Sequence, residues 1–114
     1  MFAVIFEVTP KEGQTEAYLD VAAALRDELE DHPGFISVER FQSLTTPGKL
    51  LSLSFFEDQE SLAAWRNRSH HRTAQSAGRN VHFADYRLRI AGVIRDYGMA
   101  DRDQAPDDSR AVNG

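Results

Sequence analysis

The sequence contains no cysteine, one tryptophan and no long hydrophobic run. Without cysteine, the chain has no disulfides, no thiolate metal ligands and no thiol nucleophile. The apolar stretch from Met1 to Phe6 is too short for a signal peptide or a spanning helix, and Glu7 interrupts it. We therefore expect a soluble, cytoplasmic protein that does not bind a membrane.

Positive charge is also scarce. Thirteen Lys and Arg residues are outnumbered by eighteen Asp and Glu residues, which gives a net charge of −5. This balance argues against a nucleic-acid partner. The charges are unevenly distributed, because residues 66–89 contain six arginines and three histidines but a single acid, Asp85. This cluster favours an anionic or electron-rich ligand.

Motifs for several kinds of chemistry are missing. The chain has neither a Gly-rich phosphate loop nor the G-x-S-x-G pattern of a serine hydrolase. His70 and His71 are adjacent, so on a helix their side chains diverge by about 100° and cannot bind the same metal ion. We predict no metal site and no cofactor.

The first half of the chain predicts a strand, a helix and a hairpin. Residues 1–8 alternate between apolar and mixed positions, as expected for a half-buried strand that ends before Pro10. Residues 14–31 have apolar side chains at helical spacing, and the sequence His32-Pro33-Gly34 ends that helix. Residues 35–44 and 49–56 are predicted strands joined by a tight turn at residues 45–48.

The second half predicts a helix, a long strand and a tail. Asp58 caps a helix that extends to about Ala77 and stops at Gly78, and residues 81–97 form a strand with a bulge at Gly92. Residues 100–114 include four Asp and only one large aliphatic side chain, Val112. We predict one domain over residues 1–99 and a flexible tail over residues 100–114.

The order β-α-β-β-α-β predicts an α+β, ferredoxin-like fold: a four-stranded antiparallel sheet with two helices on one face. Two helices cover one face of such a sheet and leave the other exposed. That face is predicted to be too apolar for contact with water. We therefore expect a homodimer in which two sheets face each other.

The second helix contains most of the candidate site residues. Spacing places Trp65, Ser69 and Thr73 within about 60° of Leu62 on one helix face. The side chains on this face are bulky near the start of the helix and small and hydroxylic further along it. This change in size would leave a cavity beneath Trp65. The alternative is that Trp65 packs in the core and the rest of the helix is a solvated end.

Several polar side chains lie close to this predicted cavity. His70 is the best general acid–base candidate, because its ordinary pKa lies near neutrality. Arg72 would stabilise a substrate anion. Arg87 is the alternative if its side chain lies on the strand face that is directed towards the cavity. Ser69 and Thr73 would contact the ligand, together with Tyr86 from the last strand.

These elements resemble the antibiotic biosynthesis monooxygenase (ABM) family. The resemblance rests on the first strand Ala3-Val4-Ile5-Phe6-Glu7-Val8, on Pro33-Gly34-Phe35-Ile36-Ser37, and on Leu62-x-x-Trp65-x-x-x-x-His70. It spans about residues 2–98 and implies a dimeric α/β barrel with a pocket between helices and sheet. Trp65 and His70 match positions of the family pattern.

At two places the sequence differs from family members of known reaction, and these differences argue against haem degradation and against anthrone oxidation. Haem-degrading relatives have an iron-binding His nine or ten residues after the Trp, where this chain has Ala74 and Gln75. Members that oxidise anthrones have an Asn one helical turn before the Trp, where this chain has Ser61.

The resulting hypothesis is a cofactor-independent monooxygenase that acts on a phenolic, quinol or polyketide-like aromatic small molecule. His70 would remove a proton, Arg72 would stabilise the anion, and Trp65 would stack on the ligand and exclude water. Two alternatives stay open. One is a non-catalytic ligand-binding or stress-response dimer with the same pocket, and the other is a haem-binding protein with His70 as axial ligand.

Overall fold

The computed structural model of the chain describes residues 1–68, Thr73 and residues 82–114. Its elements are, in order, β1 (Phe2–Pro10), α1 (Thr15–Glu30), β2 (Phe35–Gln42), β3 (Leu50–Phe56), α2 (Gln59–Arg66), β4 (Phe83–Gly92) and α3 (Asp107–Asn113). The strands form one antiparallel sheet in the order β2-β3-β1-β4. This confirms the predicted α+β, ferredoxin-like fold. Among the described residues, no helix is long and apolar enough to cross a membrane.

Helix α1 forms where its periodicity predicts. Gln14 and Asp31 are its N-cap and C-cap residues, and the buried side chains lie on one stripe that includes Tyr18, Ala22 and Leu29. The helix ends in a turn in which Gly34 has a φ of +85°, a conformation that side chains other than glycine rarely adopt.

Both α1 and α2 pack on the same face of the sheet. Leu29 of α1 and Leu62 and Trp65 of α2 form one buried cluster with Phe56 of β3, and Val4 of β1 packs against it. The side chains of paired residues on neighbouring strands point to the same face. The opposite face therefore presents the alternate residues of each strand.

The second helix is shorter than predicted. It ends at Arg66, with Asn67 as its C-cap, so the expectation of a continuous helix to Ala77 was wrong. At this end the Asn67 backbone N–H and its Nδ2 both donate to the Ala63 carbonyl, at 3.1 Å and 2.9 Å. Residues 69–72 lie outside the described residues, so their placement relative to Leu62 stays a prediction. The predicted stop at Gly78 lies outside the described residues.

The last strand also differs from its prediction. It ends at Gly92 rather than at Tyr97, and the predicted start at Val81 lies outside the described residues. Gly92 pairs with Phe2 in regular register, so the bulge predicted there was wrong. The irregularity lies between Thr9 and Pro10 on β1, because proline has no N–H to donate to the neighbouring strand.

The C-terminal segment contains a helix that its composition did not predict. Arg110 Nη2 donates to the carbonyls of Arg102 and Asp103, both at 2.6 Å, and Arg102 Nη2 donates to Ser109 Oγ at 2.6 Å. These bonds hold α3 against the preceding turn, where Ala105 is buried. The expectation of a flexible tail did not include these bonds, because composition alone does not signal them. The domain boundary at residue 99 stays a prediction.

Candidate functional site

A cavity of about 230 Å³ lies between the two helices and the sheet. Its floor consists of two rows of residues that pair across the four strands. In strand order β2-β3-β1-β4, the rows are Arg40-Ser52-Phe6-Leu88 and Val38-Ser54-Val4-Ile90. The polar residues of the two rows are Arg40 on β2 and Ser52 and Ser54 on β3, whereas β1 and β4 contribute only apolar residues.

The helices form the roof of this cavity. From α1 the lining includes Tyr18, Ala22 and Leu25, and from α2 it includes Leu62 and Trp65. These five side chains are apolar or aromatic and suit an apolar ligand, and Arg26 of α1 and Arg66 of α2 also reach the cavity. The cavity predicted beneath Trp65 is present, and Trp65 lines it.

Two contacts at the start of α2 hold Trp65 in this roof. The Asp58 carboxylate accepts a hydrogen bond from the Ser61 backbone N–H at 2.7 Å, and this bond lowers the pKa of Asp58 below its ordinary value. His32 Nε2 donates to the Ser61 carbonyl at 2.8 Å. The His32 ring also packs edge-on against Trp65, with 5.6 Å between ring centroids.

A histidine that we did not predict as a site residue lies in the cavity wall. His82 Nδ1 donates to Gln14 Oε1 at 3.0 Å. Because a carbonyl oxygen only accepts, this bond keeps the proton on Nδ1 and leaves Nε2 as an acceptor in the neutral ring. The bond joins residues 68 positions apart, so no local sequence pattern signals it.

Of the arginines in the described part of the chain, three reach the cavity: Arg26, Arg40 and Arg66. Arg26 is exposed and pairs with Glu30 on the same helix at 3.4 Å. Arg40 is half-buried, and its Nε is fully buried without a hydrogen-bond partner. A signal for Arg40 existed in the sequence, because it lies two residues from Val38, on the apolar face of β2. We did not use it.

The predicted site residues are only partly described. Trp65 is buried and lines the cavity. Tyr86 is 40% exposed and is not among the residues that line the cavity. Its ring contacts that of the cavity residue Phe6, with 5.7 Å between the ring centroids. Thr73 is exposed. Ser69, His70 and Arg72 lie outside the described residues, so their roles stay predictions.

Two other positions bear on the predicted chemistry. Arg87 pairs with Glu7 in the register of β1 and β4, on the face away from the cavity, so it cannot stabilise an anion there. Ser61 is not a cavity-lining residue, since its hydroxyl donates to the Asp58 carbonyl at 3.0 Å. Among the residues that the structure describes, no group of three His, Asp or Glu side chains could hold a metal ion.

The opposite face of the sheet combines apolar side chains with one charged cluster. Glu7 forms ion pairs with Lys49 at 2.9 Å and with Arg89. The Lys49 ammonium, and then the Arg89 guanidinium, lower the pKa of Glu7 below its ordinary value. Around this cluster, Ile5, Leu51, Leu53 and Phe55 are all partly exposed.

Comparison with known proteins places these features in a family. Residues 1–77 match the family model described as antibiotic biosynthesis monooxygenase. The jasmonate monooxygenase ABM of Pyricularia oryzae (strain 70-15) is 47% identical over 93 residues, which cover 82% of this chain and 43% of that protein. The chain thus spans less than half the length of this curated relative.

Two further comparisons extend over most of both chains. The uncharacterized protein YqjZ of Bacillus subtilis (strain 168) is 30% identical over 94 residues, which cover 82% of this chain and 80% of that protein. A solved structure of a candidate antibiotic biosynthesis monooxygenase from Nitrosomonas europaea has a TM-score of 0.72 at 19% identity, and the match covers 82% of this chain and 99% of that one. At this identity the structure supports the fold alone. By its matched model and its relatives, the chain belongs to the antibiotic biosynthesis monooxygenase family.

Proposed function

We propose that this protein is an ABM-type monooxygenase whose substrate is a small, largely apolar molecule bound in the cavity between the helices and the sheet. The observation that carries the proposal is that cavity, which is roofed by Trp65 in a chain that belongs to this family. The aromatic class of substrate expected from the sequence is one option. The Pyricularia relative is named for jasmonate, which is not an aromatic compound.

The aromatic and aliphatic substrate classes differ in the source of the electrons that reduce O₂. Monooxygenation places one atom of O₂ in the product and reduces the other to water. An anthrone-like substrate supplies every electron itself, because R₂CH₂ + O₂ gives R₂C=O + H₂O. An aliphatic substrate that gains a hydroxyl group needs two electrons from a further donor, such as a reduced nicotinamide.

In the first case the protein has to remove a proton and stabilise the resulting anion. His82 Nε2 is an acceptor in the cavity wall, and His70 is the base proposed from the sequence. A guanidinium in the cavity would stabilise the anion, and Trp65 would exclude water, which strengthens every electrostatic interaction inside.

The test measures O₂ uptake and product mass with a panel of anthrones and quinols, and with aliphatic carboxylates in the presence of a reduced nicotinamide. We expect O₂ uptake in one arm. If that is the anthrone and quinol arm, loss of the catalytic base should lower the rate by about 10²–10⁴-fold. His70→Ala and His82→Ala identify that base, and His71→Ala is the matched control that should keep the wild-type rate.

If the wild-type protein consumes no O₂ in either arm, the monooxygenase proposal fails. In that case a ligand co-purifying with the protein, identified by native mass spectrometry, would favour a non-catalytic binding protein. A Soret band on haem titration that disappears in His70→Ala would instead support haem binding.

We further propose that two copies of the chain associate through the opposite face of the sheet. Helices α1 and α2 both lie on the cavity face, which leaves Leu53, Phe55 and the 41%-exposed Phe41 on the other face. Sedimentation equilibrium at micromolar concentration should give the mass of a dimer, and Leu53→Lys should shift it towards a monomer because it buries a charge in the interface. A monomeric wild-type protein would contradict this proposal.

A further inference from the structure

The cavity is polar at one end of its floor and apolar at the other. Arg40 and Ser52 pair across β2 and β3, while Phe6 and Leu88 continue the same row on β1 and β4. Since neighbouring strands lie about 4.8 Å apart, the row is about 14 Å long. A ligand that spans it would have a polar group at β2 and an apolar body towards β4.

The polar end presents an unsatisfied donor. Arg40 Nε is fully buried without a hydrogen-bond partner. Among the residues that the structure describes, no carboxylate forms an ion pair with Arg40. Buried donors are rarely left unpaired.

A second copy of the chain would not supply the missing partner. Arg40 lies on the helix-facing side of β2, because it pairs with the cavity residue Ser52. The proposed dimer forms through the opposite face. Arg40 lines the cavity, so a ligand bound there can supply an acceptor to its guanidinium.

We propose that Arg40 binds the carboxylate of the substrate, and that the substrate class is a monoanionic organic acid with an aliphatic or alicyclic body. The guanidinium donates to the carboxylate, and the Ser52 hydroxyl, on the neighbouring strand, lies close enough to add a further donor. The apolar body lies over Phe6 and Leu88. This inference rests on the proposed function only in taking the cavity as the substrate site.

The experiment uses a matched series of probes: octanoate, octan-1-ol and methyl octanoate. Their apolar bodies are alike, and only octanoate has a charged carboxylate. Trp65 is the sole tryptophan and lines the cavity, so its fluorescence reports occupancy directly. Isothermal titration calorimetry gives the dissociation constants independently.

We expect the wild-type protein to bind octanoate at least about tenfold more tightly than octan-1-ol, as a charge-assisted hydrogen bond in a partly buried site requires. In Arg40→Gln the two affinities should become nearly equal, while octan-1-ol binding stays close to the wild-type value. Arg40→Lys keeps the charge and should keep part of the preference. Arg95→Gln, at an exposed position outside the cavity, is the control for the loss of one positive charge.

The proposal is overturned if the wild-type protein does not prefer octanoate, including the case in which it binds none of the probes. It is equally overturned if Arg40→Gln keeps the preference or if Arg95→Gln loses it. Circular dichroism verifies folding of each variant, and Arg40→Met replaces Arg40→Gln if the latter does not fold. O₂ uptake is not part of this measurement, so failure here leaves monooxygenation of a neutral substrate as a separate question.

Discussion

Replacing Gly34 with alanine should lower the free energy of unfolding by about 2–5 kcal/mol, in two parts. The residue has a φ of +85°, and a left-handed conformation costs an L-residue about 1–2 kcal/mol. An added Cβ would also overlap with the Cβ and Oγ of Ser61 on α2, and relieving that overlap costs about 1–3 kcal/mol. Urea denaturation followed by circular dichroism measures the sum.

A second glycine separates the two contributions. Gly48 has a φ of +79°, but nothing lies within 4 Å of an added Cβ, so Gly48→Ala should lose only about 1–2 kcal/mol. In the double variant Gly34→Ala/Ser61→Gly, removal of the Ser61 side chain should restore part of the lost stability. If Gly34→Ala and Gly48→Ala lose the same free energy of unfolding, the turn at Gly34 does not approach α2 as closely as described.

This turn matters for the cavity because it fixes the position of α2. Gly34 allows the chain to approach Ser61, and His32 from the same turn hydrogen-bonds to the Ser61 carbonyl at 2.8 Å. Trp65 follows Ser61 by about one helical turn. A change at Gly34 would therefore move the roof of the cavity as well as lower stability.

The parts of the fold that the sequence predicts are those that local periodicity determines. The stripe of Tyr18, Ala22 and Leu29 faces the sheet because a 3.6-residue period brings such positions to one side of a helix. The strand order followed from the element order, because a β-α-β-β-α-β chain with short connections has few arrangements that keep the sheet antiparallel.

What the sequence could not predict depends on single polar side chains and on distant contacts. Helix α2 ends at Arg66 although the helical spacing continues in the sequence, and the pairing of His82 with Gln14 depends on tertiary contact. Prediction of the cavity from the sequence has the same limit. A helical projection of residues 69–73 located it beneath Trp65, but its floor is built by strand register, which places Arg40 beside Ser52.

Trp65→Ala should lower the free energy of unfolding by about 3–5 kcal/mol, as truncation of a buried large aromatic side chain does. Trp65 is only 6% exposed and packs in one cluster with Leu29, Phe56 and Leu62. A loss of this size is a large share of the roughly 5–15 kcal/mol that stabilises a domain. Because the variant has no tryptophan, circular dichroism has to follow its denaturation.

Two control variants separate the contributions of Trp65 to packing and to the cavity. Leu44 is fully exposed, so Leu44→Ala should change stability by no more than about 0.5 kcal/mol. Trp65→Phe keeps an aromatic ring against His32 and should lose less stability than Trp65→Ala. Since phenylalanine is smaller, this variant also enlarges the cavity from its roof, and by calorimetry it should favour decanoate over octanoate more than the wild-type protein does. Wild-type stability in Trp65→Ala would mean that Trp65 does not pack against the core, and the roof of the cavity would then have to be assigned to other residues.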